Sequence, residues 1–308
     1  MLDKIKKKLF SPNNSSLVSN LVHIISSIRE EHEVIVLYGS PTGGNWKGIA
    51  NATIGLFPNS SLEVPQWYSN SVLNEQETKK ICEHIIASKF ENVIISGFAN
   101  YFFNWIEILK ANTKIEVLFH GTISEFHEKE KQLFVRDLIK LGKSGDINRF
   151  GFVKEGLDQV FKTLYGFDSF HQPLSNPIIP SGLTFLKLDK AKTHVGVFGA
   201  DTFNKNLHNQ VIHALMIENV IVHVLDKSIF EYLNLSERIV EHGKNLDKVQ
   251  FLSILGSMDL NLYMSFNESW GLVSHESLEI GIPCVEITKV DYLKLIKDKI
   301  ETRKQSLF

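Results

Sequence analysis

The chain has 308 residues, 43% of them hydrophobic and 22% charged, and a net charge of −2. That is enough chain for two domains with sizeable cores, and the charge balance gives no global attraction to nucleic acid. Cys82 and Cys284 are far apart and neither has a CxxC neighbour, which argues against a disulfide framework or a cysteine zinc site and favours a reducing, cytoplasmic setting.

The opening LDKIKKKLF sets Lys4, Lys6, Lys7 and Lys8 among Leu2, Ile5, Leu9 and Phe10. It reads either as a solvated basic start or as a segment that touches anionic lipid headgroups, peripheral on the inner face of a membrane. No long apolar stretch follows it, so a signal peptide is not expected, and no run in the chain has the length of a bilayer span. Apolar residues at helical spacing predict a helix over 15–30, capped by Ser15 or Ser16. EVIVLYG then reads as a short buried strand ending at Gly39. NVIISG (92–97) and KIEVLF (114–119) have the same form, with helical stretches around 75–88 and 101–111. INRFGFV and LDQVFKTLYG continue the strand–helix pattern. HQPLSNPIIPSG (171–182) carries Pro173, Pro177 and Pro180, the only proline cluster, and reads as a linker.

A second alternating set follows. THVGVFG (193–199), VIVHVLD (220–226), KVQFLS (248–253), LNLYMSF (260–266) and PCVEIT read as strands, and HNQVIHALMI as a helix. Strands alternating with helices predict parallel sheets built from βαβ units. The expected architecture is two α/β, Rossmann-like domains facing a cleft: an N-terminal domain over 1–175, a C-terminal domain over 176–290, and a terminal segment over 291–308. DYLKLIKDKIETRKQ in that last segment is an amphipathic helix candidate, whose basic excess could also face an acidic membrane.

ESWGLVSHESLEIGIP carries the chemistry. A helix starting near Leu272 places Leu272, Val273 and Ile280 on one apolar arc, and Glu276 falls inside that arc. A carboxylate held toward protein needs donors, and a ribose offers two adjacent hydroxyls. Gly271 and Leu272 open the helix, where backbone N–H groups and the helix dipole suit a diphosphate. Glu268, in the turn before the helix, is placed for sugar hydroxyls. Gly281 and Pro283 end the helix. The plainer alternative is a solvated helix with ordinary glutamates, which is how Glu279 reads.

Glu268-SWGLVSH-Glu276-SLEI-Gly281-Ile-Pro283 resembles the E-x7-E and G-x-P motif of retaining glycosyltransferases with the GT-B fold, in particular glycosyltransferase family 4. KVQFLSILGSMDLNLYMSFNESWG and HVGVFGADTFNKNLHNQVIHALM also resemble that family; the likeness is good over about 190–288 and looser over 90–180. The resemblance implies that Glu276 holds the ribose, that Glu268 binds the transferred sugar near the reacting carbon, and that Gly271 and Leu272 contact phosphate through backbone. It makes Lys205 in FNKN a phosphate-binding lysine, where the residue alone reads as a surface lysine. It brings His120 of FHGTISEF to the sugar, although a lone histidine is more often structural. Gly43 and Gly44 in GSPTGGNWKG resemble the family's loop against donor phosphates or acceptor, and read equally as a glycine-rich turn. The C-terminal helix would cross back onto the N-terminal domain.

Two departures stand out. The family's arginine is missing near Ala200 and Asp201, with Lys154 or Arg149 as candidate substitutes, and Asn206 stands where a glycine usually follows the lysine. No D-x-D occurs, so no metal is called for, and there is no P-loop, GxSxG or zinc spacing. The expected function is transfer of a sugar, with retention, from a nucleoside diphosphate-sugar to a hydroxyl of a glycan or lipid-linked acceptor in cell-surface polysaccharide or glycolipid synthesis. No cofactor and no nucleic acid partner are expected. A non-catalytic nucleotide-binding or partner subunit is the main alternative, and a sugar-nucleotide epimerase a lesser one.

Overall fold

Short, almost wholly apolar strands need cover on both faces, and here they form two parallel sheets. A computed structural model describes residues 14–41, 46–65, 72–122, 129–174, 177–234 and 236–286. The lysine-rich opening, Gly43, Gly44 and the segment 291–308 with its helix candidate lie outside the described residues. The chain divides into two compact units, Met1–Ile178 with Asn267–Leu272, and Ile179–Phe266 with Val273–Phe308.

In the first unit the elements run α1 (Asn14–Glu31), β1 (Val34–Gly39), α2 (Lys47–Leu56), β2 (Ser61–Val64), α3 (Glu75–Ala87), β3 (Asn92–Ser96), α4 (Phe102–Leu109), β4 (Lys114–Phe119), α5 (Lys129–Ser144), β5 (Arg149–Phe152), α6 (Leu157–Tyr165) and β6 (Ser169–His171). The sheet order is β2-β1-β3-β4-β5-β6, parallel throughout. Ile35, Leu37, Val93, Ile95, Ile115 and Val117 are fully buried along its central strands, and Phe102 and Trp105 of α4 pack in the same core. Each such side chain contributes about 1.5–3 kcal/mol of hydrophobic stabilisation. A capping box starts α3: the Glu77 N–H donates to Asn74 Oδ1 (2.9 Å), and the Asn74 N–H donates to the Glu77 carboxylate (2.8 Å).

The second unit contains β7 (Thr193–Val197), α7 (Leu207–Leu215), β8 (Val220–Val224), β9 (Ile239–Glu241), α8 (Lys248–Leu255), β10 (Leu260–Tyr263), α9 (Leu272–Ile280, whose first residue belongs to the first unit) and β11 (Cys284–Glu286). Its parallel sheet has the order β11-β10-β7-β8-β9. One sequence expectation is overturned here: KVQFLS is not a strand but the start of α8. Asp247 caps that helix by accepting from the Gln250 N–H (2.8 Å), and the Gln250 side chain accepts from the Asp247 N–H (3.0 Å). This reciprocal pair fixes a helical first turn, whatever the β propensity of Val249 and Phe251.

The stretch read as a linker, with the residues just after it, contributes to both units. His171 ends β6, while Ile179, Leu183 and Leu188 pack on the apolar cluster around Phe198, Leu252 and Leu255. The Thr184 and Leu186 N–H groups donate to Ser253 Oγ (3.0 Å) and Ser257 Oγ (2.8 Å).

Three histidines cross the second sheet in series. His194 Nδ1 lies 2.9 Å from His223 Nε2, and His223 Nδ1 lies 2.8 Å from His242 Nε2. His194 Nε2 is 3.0 Å from the Asp189 carbonyl, which can only accept. The protons are therefore ordered: His194 donates from Nε2, His223 donates from Nε2 to His194, and His242 donates from Nε2 to His223. Burial, with His242 and His194 adding to it, pushes the His223 pKa down to about 3, so the ring stays neutral. Among the described residues, no helix is long and apolar enough to cross a membrane.

Candidate functional site

In the second unit the chain runs from β7 to β8 and β9 on one side, then returns to β10 and β11 on the other. The order reverses between β7 and β10, and open α/β sheets leave a ligand crevice beyond the carboxyl ends of such strands. The loops there are tied together. The Phe266 N–H donates to the Asn204 carbonyl (2.8 Å), the Met264 N–H donates to Gln210 Oε1 (2.9 Å), and Gln210 Nε2 donates to the Lys205 carbonyl (2.7 Å). Lys205 Nζ donates to Tyr263 OH at 3.0 Å, so the lysine sits at the reversal. Asn206 has φ 55°, in the left-handed region that asparagine tolerates better than most residues, and its Nδ2 donates to the Met264 carbonyl (3.0 Å). A side-chain tether thus holds a backbone shape that otherwise suits glycine.

Helix α9 begins directly after Gly271, which is buried and has φ 78°, a conformation that a side chain would strain. Leu272 is its first residue, and Glu268 lies half-buried in the preceding turn. The rotation of α9 is set from below. Asn261 of β10 is fully buried and its Nδ2 donates to Ser277 Oγ (2.8 Å), while Ser277 donates to the Ile282 carbonyl (2.9 Å). The adjacent Glu276 is only 4% exposed, as its place on the apolar arc predicts. Glu279 is exposed.

Glu276 has a partner that the sequence reading missed. Lys248 Nζ, in the first turn of α8, makes a close ion pair with Glu276 Oε1. Desolvation raises the carboxyl above its ordinary pKa, opposed by Lys248 and to a lesser extent by His275. The available signal was the D-x-x-Q cap, which makes 248 a first-turn helix position.

In the first unit the order reverses between β1 and β3, and a cavity of about 380 Å³ lies at that end of the strands. Its lining includes Trp46, Ile49, Gly97, Phe119, His120 and Phe134. Gly97 has φ 70°, and a Cβ there would come within 2.6 Å of Ile49 and 2.9 Å of Trp46. His120 follows β4 and is buried. Its Nε2 is 3.0 Å from Ser96 Oγ, which is 2.6 Å from Thr53 Oγ1, and Thr53 donates to the Ile49 carbonyl (2.8 Å). Each hydroxyl has one proton. Thr53 spends its proton on the carbonyl, so Ser96 donates to Thr53 and His120 donates from Nε2 to Ser96. Nδ1 is left with the lone pair. Burial lowers the His120 pKa to about 4, so the ring is a neutral acceptor at ordinary pH. Ser96, a polar end to an apolar strand, was the legible hint of this chain.

Arg149 does not qualify as a substitute cation. It starts β5, at the amino end of the strand, with its guanidinium 4.2 Å over the Phe170 ring and Nε 3.5 Å from Asp168. Lys154 lies two residues beyond the carboxyl end of β5. Among the described residues, no cluster of three or more histidine, cysteine or acidic side chains is arranged to hold a metal ion.

No protein-family model matches the chain, and no curated protein matches it in sequence. Solved structures do match. HepE of Anabaena in complex with UDP and glucose is 12% identical, covering 86% of this chain and 83% of its own, with a TM-score of 0.58. Sucrose-phosphate synthase from Thermosynechococcus elongatus is 12% identical over 82% and 80%, with a TM-score of 0.56. OtsA in its apo form is 12% identical over 82% and 83%, with a TM-score of 0.52. At such identity the likeness establishes the architecture: two Rossmann-like units with parallel sheets, the fold of GT-B glycosyltransferases.

Proposed function

We propose that the protein is a retaining glycosyltransferase that moves a sugar from a nucleoside diphosphate donor to a hydroxyl of a glycan or lipid-linked acceptor. The observation that carries this reading is Glu276, an acid 4% exposed on a helix that opens with a positive-φ glycine. A buried carboxylate on the ligand side of a Rossmann-like sheet suits a ribose diol, and the positive end of α9 suits a diphosphate.

In this reading Lys205 offsets the charge that grows on the leaving diphosphate, and Glu268 orients the transferred sugar close to its reacting carbon. His120 accepts a sugar hydroxyl at Nδ1. The departing phosphate takes the acceptor proton on the same face as the leaving bond, which gives retention without a protein nucleophile. No step calls for a metal ion.

The test is to incubate the protein with UDP-, GDP- and ADP-sugars and hydroxyl acceptors, and to read the anomeric configuration of product by NMR. A product with the donor's configuration is expected; an inverted product overturns the retaining assignment. The second reading, a non-catalytic nucleotide-binding subunit, is favoured by one feature. Ala200 and Asp201 stand where a family arginine is expected, and both are exposed. Nucleotide binding without transfer or hydrolysis would select it.

A further inference from the structure

We propose that Lys248 is a positioning residue for donor binding: its ammonium holds the buried Glu276 carboxylate ionised and aimed, ready to accept both hydroxyls of a ribose. The inference rests on the assignment of Glu276 to the nucleotide and goes beyond it by naming the residue that keeps this acid in its working state.

The geometry supplies the argument. Glu276 is 4% exposed, while the Lys248 side chain keeps 39% of its surface in solvent. A buried carboxylate alone is costly in its charged form and tends to take up a proton. A protonated acid offers fewer acceptor sites and places an O–H where a hydroxyl must donate. Lys248 prevents this from the first turn of α8, a place fixed by the Asp247–Gln250 capping box. Asn261 and Ser277 fix the facing helix, so the two partners are held by independent anchors. The pair uses Glu276 Oε1. A carboxylate has about four lone-pair sites, so a diol can bind while the ammonium stays. Of the neighbours that favour the carboxylate, Lys248 has the larger effect and His275 the smaller.

Burial raises the carboxyl pKa and Lys248 lowers it. Without the ammonium the carboxyl pKa should rise further, so nucleotide affinity should fall and return as pH rises.

The experiment is calorimetric titration with UDP, GDP and ADP across pH, on wild type, Lys248→Met, Lys248→Arg, Glu276→Gln and the Lys248→Met/Glu276→Gln double variant. Lys248→Met is expected to weaken binding about ten- to a hundredfold near neutral pH, the range that hydrogen bonds to a charged group are worth. The loss should shrink as pH rises. Lys248→Arg should bind like wild type. In the double variant, which carries no unpaired charge and guards against misfolding, Lys248→Met should cost nothing beyond Glu276→Gln. Binding by Lys248→Met that is unchanged or tighter, or a loss independent of pH, overturns the role of Lys248 while leaving the ribose assignment intact. No nucleotide binding by wild type, or full binding by Glu276→Gln, overturns that assignment and the inference with it.

Discussion

Replacing Ser96 by alanine removes the middle of the Thr53–Ser96–His120 chain. Ser96 and Thr53 are fully buried and His120 is 9% exposed, so water cannot readily replace the lost hydroxyl. His120 Nε2–H loses its acceptor at 3.0 Å, while Thr53 keeps its bond to Ile49 and loses only a donor. One unpaired buried donor costs about 1–3 kcal/mol, and the deprived Thr53 oxygen adds a smaller amount. The expected loss is about 2 kcal/mol, or a Tm lower by about 4–8 °C for a unit of this size. Urea denaturation followed by tryptophan fluorescence measures it, with Thr53→Ala and the double variant completing a cycle. Because the two hydroxyls serve one chain, the single effects should overshoot the double by about 1 kcal/mol. A Ser96→Ala loss under about 0.5 kcal/mol, or strictly additive effects, would refute the proton order assigned to His120.

Glu268→Gln should leave the fold intact and lower transfer by about a hundredfold or more, since a carboxylate at the reacting sugar acts mainly through charge; unchanged turnover counts against its assignment. Asn206→Gly should cost under about 1 kcal/mol, because relief of the left-handed conformation offsets the lost bond to Met264, whereas Asn206→Val should cost about 2–3 kcal/mol; chemical denaturation compares them. For His223 the folded pKa of about 3 lies below the unfolded value near 6.5. Its contribution is present above the unfolded pKa and lost as pH falls toward the folded one. His223→Gln should therefore flatten the acid limb of urea midpoint against pH, and an unaltered limb would argue against a neutral buried ring.

The central strands were legible because parallel strands covered on both faces read as apolar runs, as EVIVLYG and KIEVLF do. Edge strands carry little of that signal: Ser61–Val64 is half polar and Ile239–Glu241 is only three residues long, and neither was predicted. The charge-rich helix Lys129–Ser144 escaped as well. Its apolar face is narrow, with only Val135 and Leu138 buried. The burial of Glu276 followed from helical geometry, which a single sequence contains. Its pairing with Lys248 joins residues 28 positions apart and depends on which helix faces which. Arg149 shows the converse: its charge was visible, but not that it lies at the wrong end of its strand.

The row of imidazoles in the second sheet turns a main-chain oxygen into a remote selector. Because the Asp189 carbonyl admits only a donor, the outermost ring, His242, must show the outside world a lone pair at Nδ1. Anything that settles there has to bring its own hydrogen, and a bare acceptor is turned away by a group three rings distant.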